Sequence, residues 1–158
     1  MGIFKKHKQR QEIYTSMKMK PIDLSLTRIE FDFIRGQTWT IPLSAEENRK
    51  LKIMYDSSDA ELQDSAWAII AWRLIARYGK LTEVRCLQGP VPQRIELLYE
   101  DGHGLVVTKR SGNRDISIIS FGYTGDGPSC FYLFLKASGF NITEETVTKI
   151  KAPCILRR

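Results

Sequence analysis

The chain has 158 residues, of which 42% are hydrophobic, and this length can bury one good core but leaves little room for two. Its formal net charge of +6 is carried by the ends of the chain, because residues 1–20 hold six Lys and Arg against one Glu, Arg157 and Arg158 add two positive charges, and residues 21–156 hold 16 basic against 17 acidic side chains. A neutral core disfavours a nucleic-acid reader, which normally carries a basic stripe on its folded part.

The same composition predicts how the chain is organised. Residues 1–20 are predicted to form a basic, flexible N-terminal tail, and residues 21–158 a single domain. No apolar run approaches the roughly 18 to 20 residues that a membrane-spanning helix needs. No hydrophobic segment follows the charged N-terminus, as it would in a secretory signal. We therefore expect a cytoplasmic protein with no membrane contact.

The cysteines favour neither a disulfide framework nor a metal site. Cys86, Cys130 and Cys154 are odd in number and widely spaced, which fits neither the even count of a disulfide scaffold nor the paired spacing of a zinc site. The pattern predicts three reduced thiols, at least two of them in the core, and no bound metal or cofactor.

The first predicted elements are strands. Apolar and polar residues alternate over residues 24–43, with a turn at 35–37. This period of two is typical of half-buried strands, and it predicts an N-terminal β-hairpin.

Two capping boxes follow the hairpin. Ser44 with Glu47 predicts a short helix ending near Tyr55, and Ser58 with Glu61 predicts a long helix over 58–78. Gly79 is the expected left-handed cap of the long helix. Trp67 is predicted to lie in the core and Trp72 in a partly exposed position.

A second β region follows the Gly- and Pro-rich connector at 88–92. Strands are predicted over 95–99, 105–108 and 116–121, with short turns between them at 101–104 and 111–113. Short turns favour antiparallel pairing, so the three strands should form a meander.

The segment Gly122-Tyr-Thr-Gly-Asp-Gly-Pro-Ser129 links the last predicted strand to an apolar helix over 129–138. It follows the outline of a phosphate-binding loop, but Pro128 stands where that loop needs Lys. The simpler interpretation is a structural junction, with Pro128 at the first helical position, Gly127 or Asp126 as the cap, and special backbone angles at Gly122 and Gly125. Gly139 and Phe140 should close the helix, and residues 141–151 are ambiguous between helix and edge strand.

These elements predict an α+β fold. Its antiparallel sheet would combine the N-terminal hairpin with the three-strand meander, and it would pack against the long helix and the second buried helix.

Catalytic apparatus is scarce in the sequence. The two histidines are His7, in the tail, and His103, in a turn with Asp101. Folding could bring His103 and Asp101 to a nucleophile, but no nucleophile motif accompanies them. We expect a protein that is not an enzyme.

The chain resembles the small cytosolic immunity proteins that bacteria encode beside polymorphic toxins, on the Gly-Tyr-Thr-Gly-Asp-Gly-Pro turn at 122–128, its size, its single α+β domain and its odd number of cysteines. The resemblance implies a stoichiometric inhibitor that covers the active site of a cognate toxin. Inhibitors of nucleases tend to be strongly acidic. The neutral core of this chain is therefore better suited to inhibiting a toxin with an acidic or neutral site, such as an ADP-ribosyltransferase with a catalytic glutamate.

Aromatic and arginine side chains provide most interface hot spots. The candidate partner contacts are therefore Tyr123, Asp126, Trp72, Arg73, Arg77 and His103.

Two alternatives remain open at this point. One is a small-ligand or anion-binding module that uses the backbone amides around Gly125, Gly127 and Ser129. The other is a nucleic-acid accessory protein that uses the basic tail at 1–20.

Overall fold

The computed structural model describes residues 20–21, 43–109 and 119–158. The helices are α1 (Ala45–Ser57), α2 (Ala60–Gln63), α3 (Ala66–Tyr78), α4 (Asp126–Ala137) and α5 (Glu144–Thr148). The strands are β1 (Lys20–Pro21), β2 (Leu81–Gln88), β3 (Gln93–Tyr99), β4 (His103–Lys109) and β5 (Cys154–Arg157).

The strands form one sheet in the order β1-β4-β3-β2-β5. The pairs β2–β3, β3–β4 and β2–β5 are antiparallel, and the two-residue β1 pairs with β4 in parallel. An α+β fold with an antiparallel sheet packed against helices is thus confirmed, and β3 and β4 are two strands of the predicted meander.

Several predictions about the β regions lie outside the described residues. These are the hairpin at 24–42, the tail at 1–19, and the turn and strand at 111–118. The described end of the predicted third strand, residues 119–121, is not in a strand, so that part of the prediction is wrong. We call Gly122–Ser129 the glycine loop. The backbone of 119–121 joins this loop to the sheet, because the Gln93 side-chain amide donates to the Ile119 carbonyl at 2.7 Å.

Two strands went unpredicted. β2 carries charged residues at Glu83 and Arg85, and β5 is four residues long, so neither shows a strong apolar alternation. The two strands pair with each other, Cys86 opposite Cys154 and Val84 opposite Leu156. Their stability comes from this pairing between distant segments, which local sequence patterns do not reveal.

The first capping box is confirmed. The Glu47 N–H donates to the Ser44 hydroxyl at 3.1 Å, and the Ser44 N–H donates to the Glu47 carboxylate at 2.8 Å. Helix α1 extends two residues beyond Tyr55, to Ser57.

The predicted helix over 58–78 is wrong as one element. Ser58 ends α1, and Asp59 caps α2 by accepting from the Leu62 N–H at 3.0 Å. A new cap at Ser65 then starts α3, with its hydroxyl accepting from the Ala68 N–H at 3.3 Å. Ser and Asp side chains hydrogen-bond to nearby backbone groups, which favours them at helix starts over helix interiors. The segment therefore forms two helices, each with its own cap. Gly79 ends α3 at φ +85°, as expected.

One face of the sheet packs against α3 and α4. Trp67 is 5% exposed and meets Phe134 edge to face at 6.3 Å between ring centroids, which confirms it as a core residue. Other buried members of this core are Ile70, Leu74, Val84, Cys86, Ile95, Leu97, Leu105, Val107, Phe131 and Leu135.

Helix α4 begins earlier than predicted. Its N-cap is Gly125, so Pro128 is the third helical residue and not the first. A proline is tolerated there because the first four helical N–H groups have no partner within the helix. The C-terminal cap is confirmed, since Gly139 has φ +92° and the Phe140 N–H donates to the Leu135 carbonyl at 3.0 Å. The ambiguous segment 141–151 contains α5.

Among the described residues, no helix combines the length and apolar character that crossing a membrane requires.

Candidate functional site

The end of α3 meets the β3–β4 turn at one end of the sheet. The Asp101 N–H donates to the Tyr78 carbonyl at 3.3 Å, and the Glu100 N–H donates to the Lys80 carbonyl at 2.9 Å. These backbone bonds hold Tyr78 beside Asp101 and His103, and Arg77, the residue before Tyr78, pairs with Glu47 of α1. We call these five residues the His103 cluster: Glu47, Arg77, Tyr78, Asp101 and His103.

His103 is oriented by the turn itself. Its Nδ1 lies 2.7 Å from Asp101 Oδ2, and its backbone N–H donates to Asp101 Oδ1 at 2.8 Å. The imidazole also stacks on Tyr78, with 4.5 Å between ring centroids and 34° between planes. In the neutral tautomer with its proton on Nδ1, the Nδ1–H donates a hydrogen bond to Asp101, and Nε2 is a hydrogen-bond acceptor.

Tyr78 lies between the imidazole and the core. Its second aromatic neighbour is Tyr99, at 5.8 Å between centroids. Burial raises the pKa of the Tyr78 phenol, while the adjacent Arg77 guanidinium, which hydrogen-bonds it, works in the opposite direction. The phenol is therefore neutral at physiological pH and serves as a hydrogen-bonding and stacking group.

Arg77 connects the cluster to α1. Its Nε donates to Glu47 Oε2 at 3.2 Å. The hydrogen bond from the Ser44 backbone and the Arg77 side chain together hold the pKa of Glu47 below its ordinary value of 4.5. The carboxylate thus has two tasks, since it caps α1 and orients Arg77.

Replacing Glu47 by Ala is expected to lower the free energy of unfolding by about 1 kcal/mol at pH 7, the usual cost of losing a cap. Because the folded-state pKa of Glu47 lies below its unfolded value, its contribution is present above about pH 4.5 and is lost as the pH falls through the folded pKa. Urea unfolding of both proteins between pH 7 and pH 3 should therefore show the difference shrinking. A difference that stays constant with pH would contradict a charged role for Glu47.

The predicted contact residues do not form one site. Arg77 and His103 lie in the cluster at the Tyr99 end of β3. Tyr123 and Asp126 lie beyond the other end, where Gln93 begins the strand and hydrogen-bonds Ile119 and Ser120, just before the glycine loop. A seven-residue strand spans about 20 Å, so the two groups are separate surfaces.

Trp72 is not an exposed contact residue. It is 3% exposed and packs with Leu62 and Ala68 in a second small core under α1. Tyr55 of α1 meets its ring edge to face at 5.9 Å. The prediction of a partly exposed Trp72 is wrong because α1 packs on that side of α3, a contact that the local sequence pattern does not show. Arg73 is half-buried on the same helix.

The glycine loop is built as a junction. Gly122 has φ +83°, as predicted, and its N–H donates to the Val147 carbonyl at 3.1 Å. The expectation of a special angle at Gly125 is wrong, because its φ of 163° is extended backbone that any residue can adopt.

One residue of the anion-binding alternative, Ser129, is engaged within the protein. Its N–H donates to the Gly125 carbonyl at 3.3 Å, and its hydroxyl donates to the Glu144 carboxylate. A carboxylate of the protein itself thus lies beside the start of α4, where a bound anion would be repelled.

A row of alternating charges crosses the face of the sheet opposite α3 and α4. Arg85 Nε lies 2.7 Å from Glu83 Oε2, and its Nη1 lies 3.8 Å from Glu96 Oε1. Glu96 Oε2 also accepts from Arg94 at 2.8 Å, and Glu83 Oε1 accepts from Arg157 at 2.9 Å. We call these five residues the charged row. The side chains of Arg85 and Glu96 are 3% and 4% exposed, so the row places opposite buried charges beside one another.

Sequence reasoning missed Glu47 and Tyr78 of the His103 cluster and all of the charged row. The available signal for the row was Glu83-x-Arg85 and Arg94-x-Glu96, because opposite charges two residues apart share one face of a strand. Nothing local links Tyr78 to a turn more than twenty residues away.

Among residues 20–21, 43–109 and 119–158, no group of three or more His, Cys, Asp or Glu side chains is arranged to hold a metal ion. Comparison of the chain with family models, curated proteins and solved structures gave no match.

Proposed function

We propose that this domain acts by binding another protein, as a stoichiometric inhibitor of a cognate bacterial toxin in the cytoplasm. The observation that carries the proposal is the His103 cluster, which presents an arginine, a tyrosine and a histidine at one end of the sheet. Tyr and Arg are among the residue types that dominate binding energy in protein interfaces.

The exposure of the cluster suits a contact surface. The side chains of Arg77, His103 and Asp101 are 29%, 30% and 35% exposed, so each is held by neighbours yet reaches solvent. A side chain that is already ordered loses less conformational entropy when a partner covers it. Glu47 orders Arg77, and Asp101 with Tyr78 orders His103.

The charge balance favours one class of partner. The Arg77 guanidinium can donate hydrogen bonds to a carboxylate of a partner, and residues 21–156 as a whole are close to neutral. A toxin whose active site is built around a glutamate, such as an ADP-ribosyltransferase, offers that group. A nuclease with a basic cleft would call for a more acidic inhibitor.

The test is reconstitution with the toxin encoded beside this protein's gene. We expect a 1:1 complex by size-exclusion chromatography with light scattering, and loss of toxin activity at equimolar inhibitor. Failure to form a complex, or full toxin activity in molar excess of this protein, would rule out the proposal.

Variants locate the contact surface. We expect Arg77→Ala and His103→Ala each to weaken binding by about tenfold or more, the effect of losing an interface hot spot. Lys149→Ala, at the C-cap of α5 at the opposite end of the sheet, is the control and should bind as the original chain does. Thermal melts of all three variants check that the fold is intact. Equal affinities for all three would place the interface elsewhere.

A further inference from the structure

Two of the three cysteines lie directly opposite each other in the sheet. Cys86 of β2 and Cys154 of β5 are partners in the antiparallel register. Both side chains belong to the core-facing side, where Cys86 is buried and Cys154 packs half-buried against it. Opposed residues in antiparallel strands have Cα atoms about 4.5 to 5.5 Å apart, which lies within the span of about 4.4 to 6.8 Å that a disulfide bridges.

We propose that Cys86 and Cys154 form a reversible disulfide that fastens the edge strand β5 to β2 under oxidising conditions. This inference is independent of the proposed toxin inhibition, because it rests on the sheet register alone.

The oxidant is a small disulfide, such as oxidised glutathione. The Cys154 thiolate attacks one sulfur of the oxidant and displaces one glutathione thiolate, which leaves a mixed disulfide on Cys154. Cys86 then loses its proton, and its sulfur attacks the Cys154 sulfur and displaces the second glutathione. The two protein thiols lose two electrons in all, the oxidant gains them, and the two cysteine protons end on the two glutathione thiols.

The order of the two steps follows from how readily the oxidant can reach each thiol. β5 has four residues and, within the described sheet, pairs with β2 alone, so it can open locally more easily than the inner strands. Burial raises the pKa of both thiols, and the neighbouring Cys154 raises that of Cys86 further. Cys154 is therefore the thiol that meets the oxidant when β5 opens, and Cys86 reacts with it on reclosing.

Cys130 provides an internal reference. It lies on α4, outside the sheet, so it has no partner in the β2–β5 register. Burial, with a smaller effect of the Asp126 carboxylate, raises its pKa to about 11. It should remain a thiol when the other two are joined.

The disulfide would also act on the glycine loop. A Cβ added at Gly122 would lie 2.9 Å from the Ile150 carbonyl oxygen, so the chain between α5 and β5 runs against this loop. Fastening β5 would hold that segment in place and stabilise the fold, because it closes a long loop in the unfolded chain.

The test incubates the folded full-length protein with oxidised glutathione, alkylates remaining thiols, and maps peptides by mass spectrometry without reduction. We expect a Cys86–Cys154 linked peptide, alkylated Cys130, and a melting temperature raised by about 10 °C that dithiothreitol reverses. Cys154→Ser should lose both the linked peptide and the thermal shift, whereas Cys130→Ser should keep both.

Two results would overturn the proposal. One is alkylation of both Cys86 and Cys154 after oxidation, including when low urea is added to open β5. The other is a linked peptide that contains Cys130 in place of either residue.

Discussion

Arg85→Met should lower the free energy of unfolding by about 3 kcal/mol, the usual cost of removing one partner from a buried ion pair. Methionine keeps most of the volume of the arginine stem but removes the charge that lies between Glu83 and Glu96. Glu83 and Glu96 then keep as counter-charges only Arg157 and Arg94, whose side chains are 71% and 44% exposed. Urea unfolding at pH 7 measures the loss.

The matched control is Arg49→Met, which makes the same substitution in an ion pair with Glu46 whose side chains are 65% and 63% exposed. Exposed pairs contribute little because water screens them, so we expect a change of no more than about 0.5 kcal/mol. Similar losses in the two variants would mean that burial of the charged row does not set its contribution.

Gly122→Ala should cost about 2 to 3 kcal/mol, because two effects add. Its φ of +83° lies in the left-handed region, which disfavours residues with a Cβ. The new Cβ would also lie 2.9 Å from the Ile150 carbonyl oxygen, a backbone atom that cannot move away as a flexible side chain can. Thermal and urea unfolding would both report the loss.

Gly102→Ala separates the two effects. Its φ of +95° is similarly left-handed, but a Cβ there would meet nothing within 4 Å. We expect a cost of about 1 kcal/mol from the backbone angle alone. If both variants lost the same free energy of unfolding, close packing of the glycine loop on the segment before β5 would make no contribution to stability.

The Gly122 result also bears on the proposed function. The glycine loop holds Tyr123 and Asp126, whereas the His103 cluster lies at the other end of β3. A destabilised Gly122→Ala variant that still inhibits the toxin at low temperature would separate the structural role of the loop from binding.

The sequence was sufficient for features made within a few residues of one another. The capping box of Ser44 and Glu47, the left-handed caps at Gly79 and Gly139, and the hairpin of β3 and β4 all depend on local hydrogen bonds and backbone angles. Residue type and short spacing determine these interactions, so they can be predicted before the fold is known.

Tertiary structure decided the features that join distant segments. β2 and β5 exist because each pairs with another strand, Trp72 is buried because α1 packs over it, and His103 meets Tyr78 because the end of α3 docks on the β3–β4 turn. In each case the stabilising contact lies more than ten residues away along the chain. The candidate site and the cysteine pair are therefore products of the fold, since side chains that no local pattern relates become neighbours only when the sheet and helices assemble.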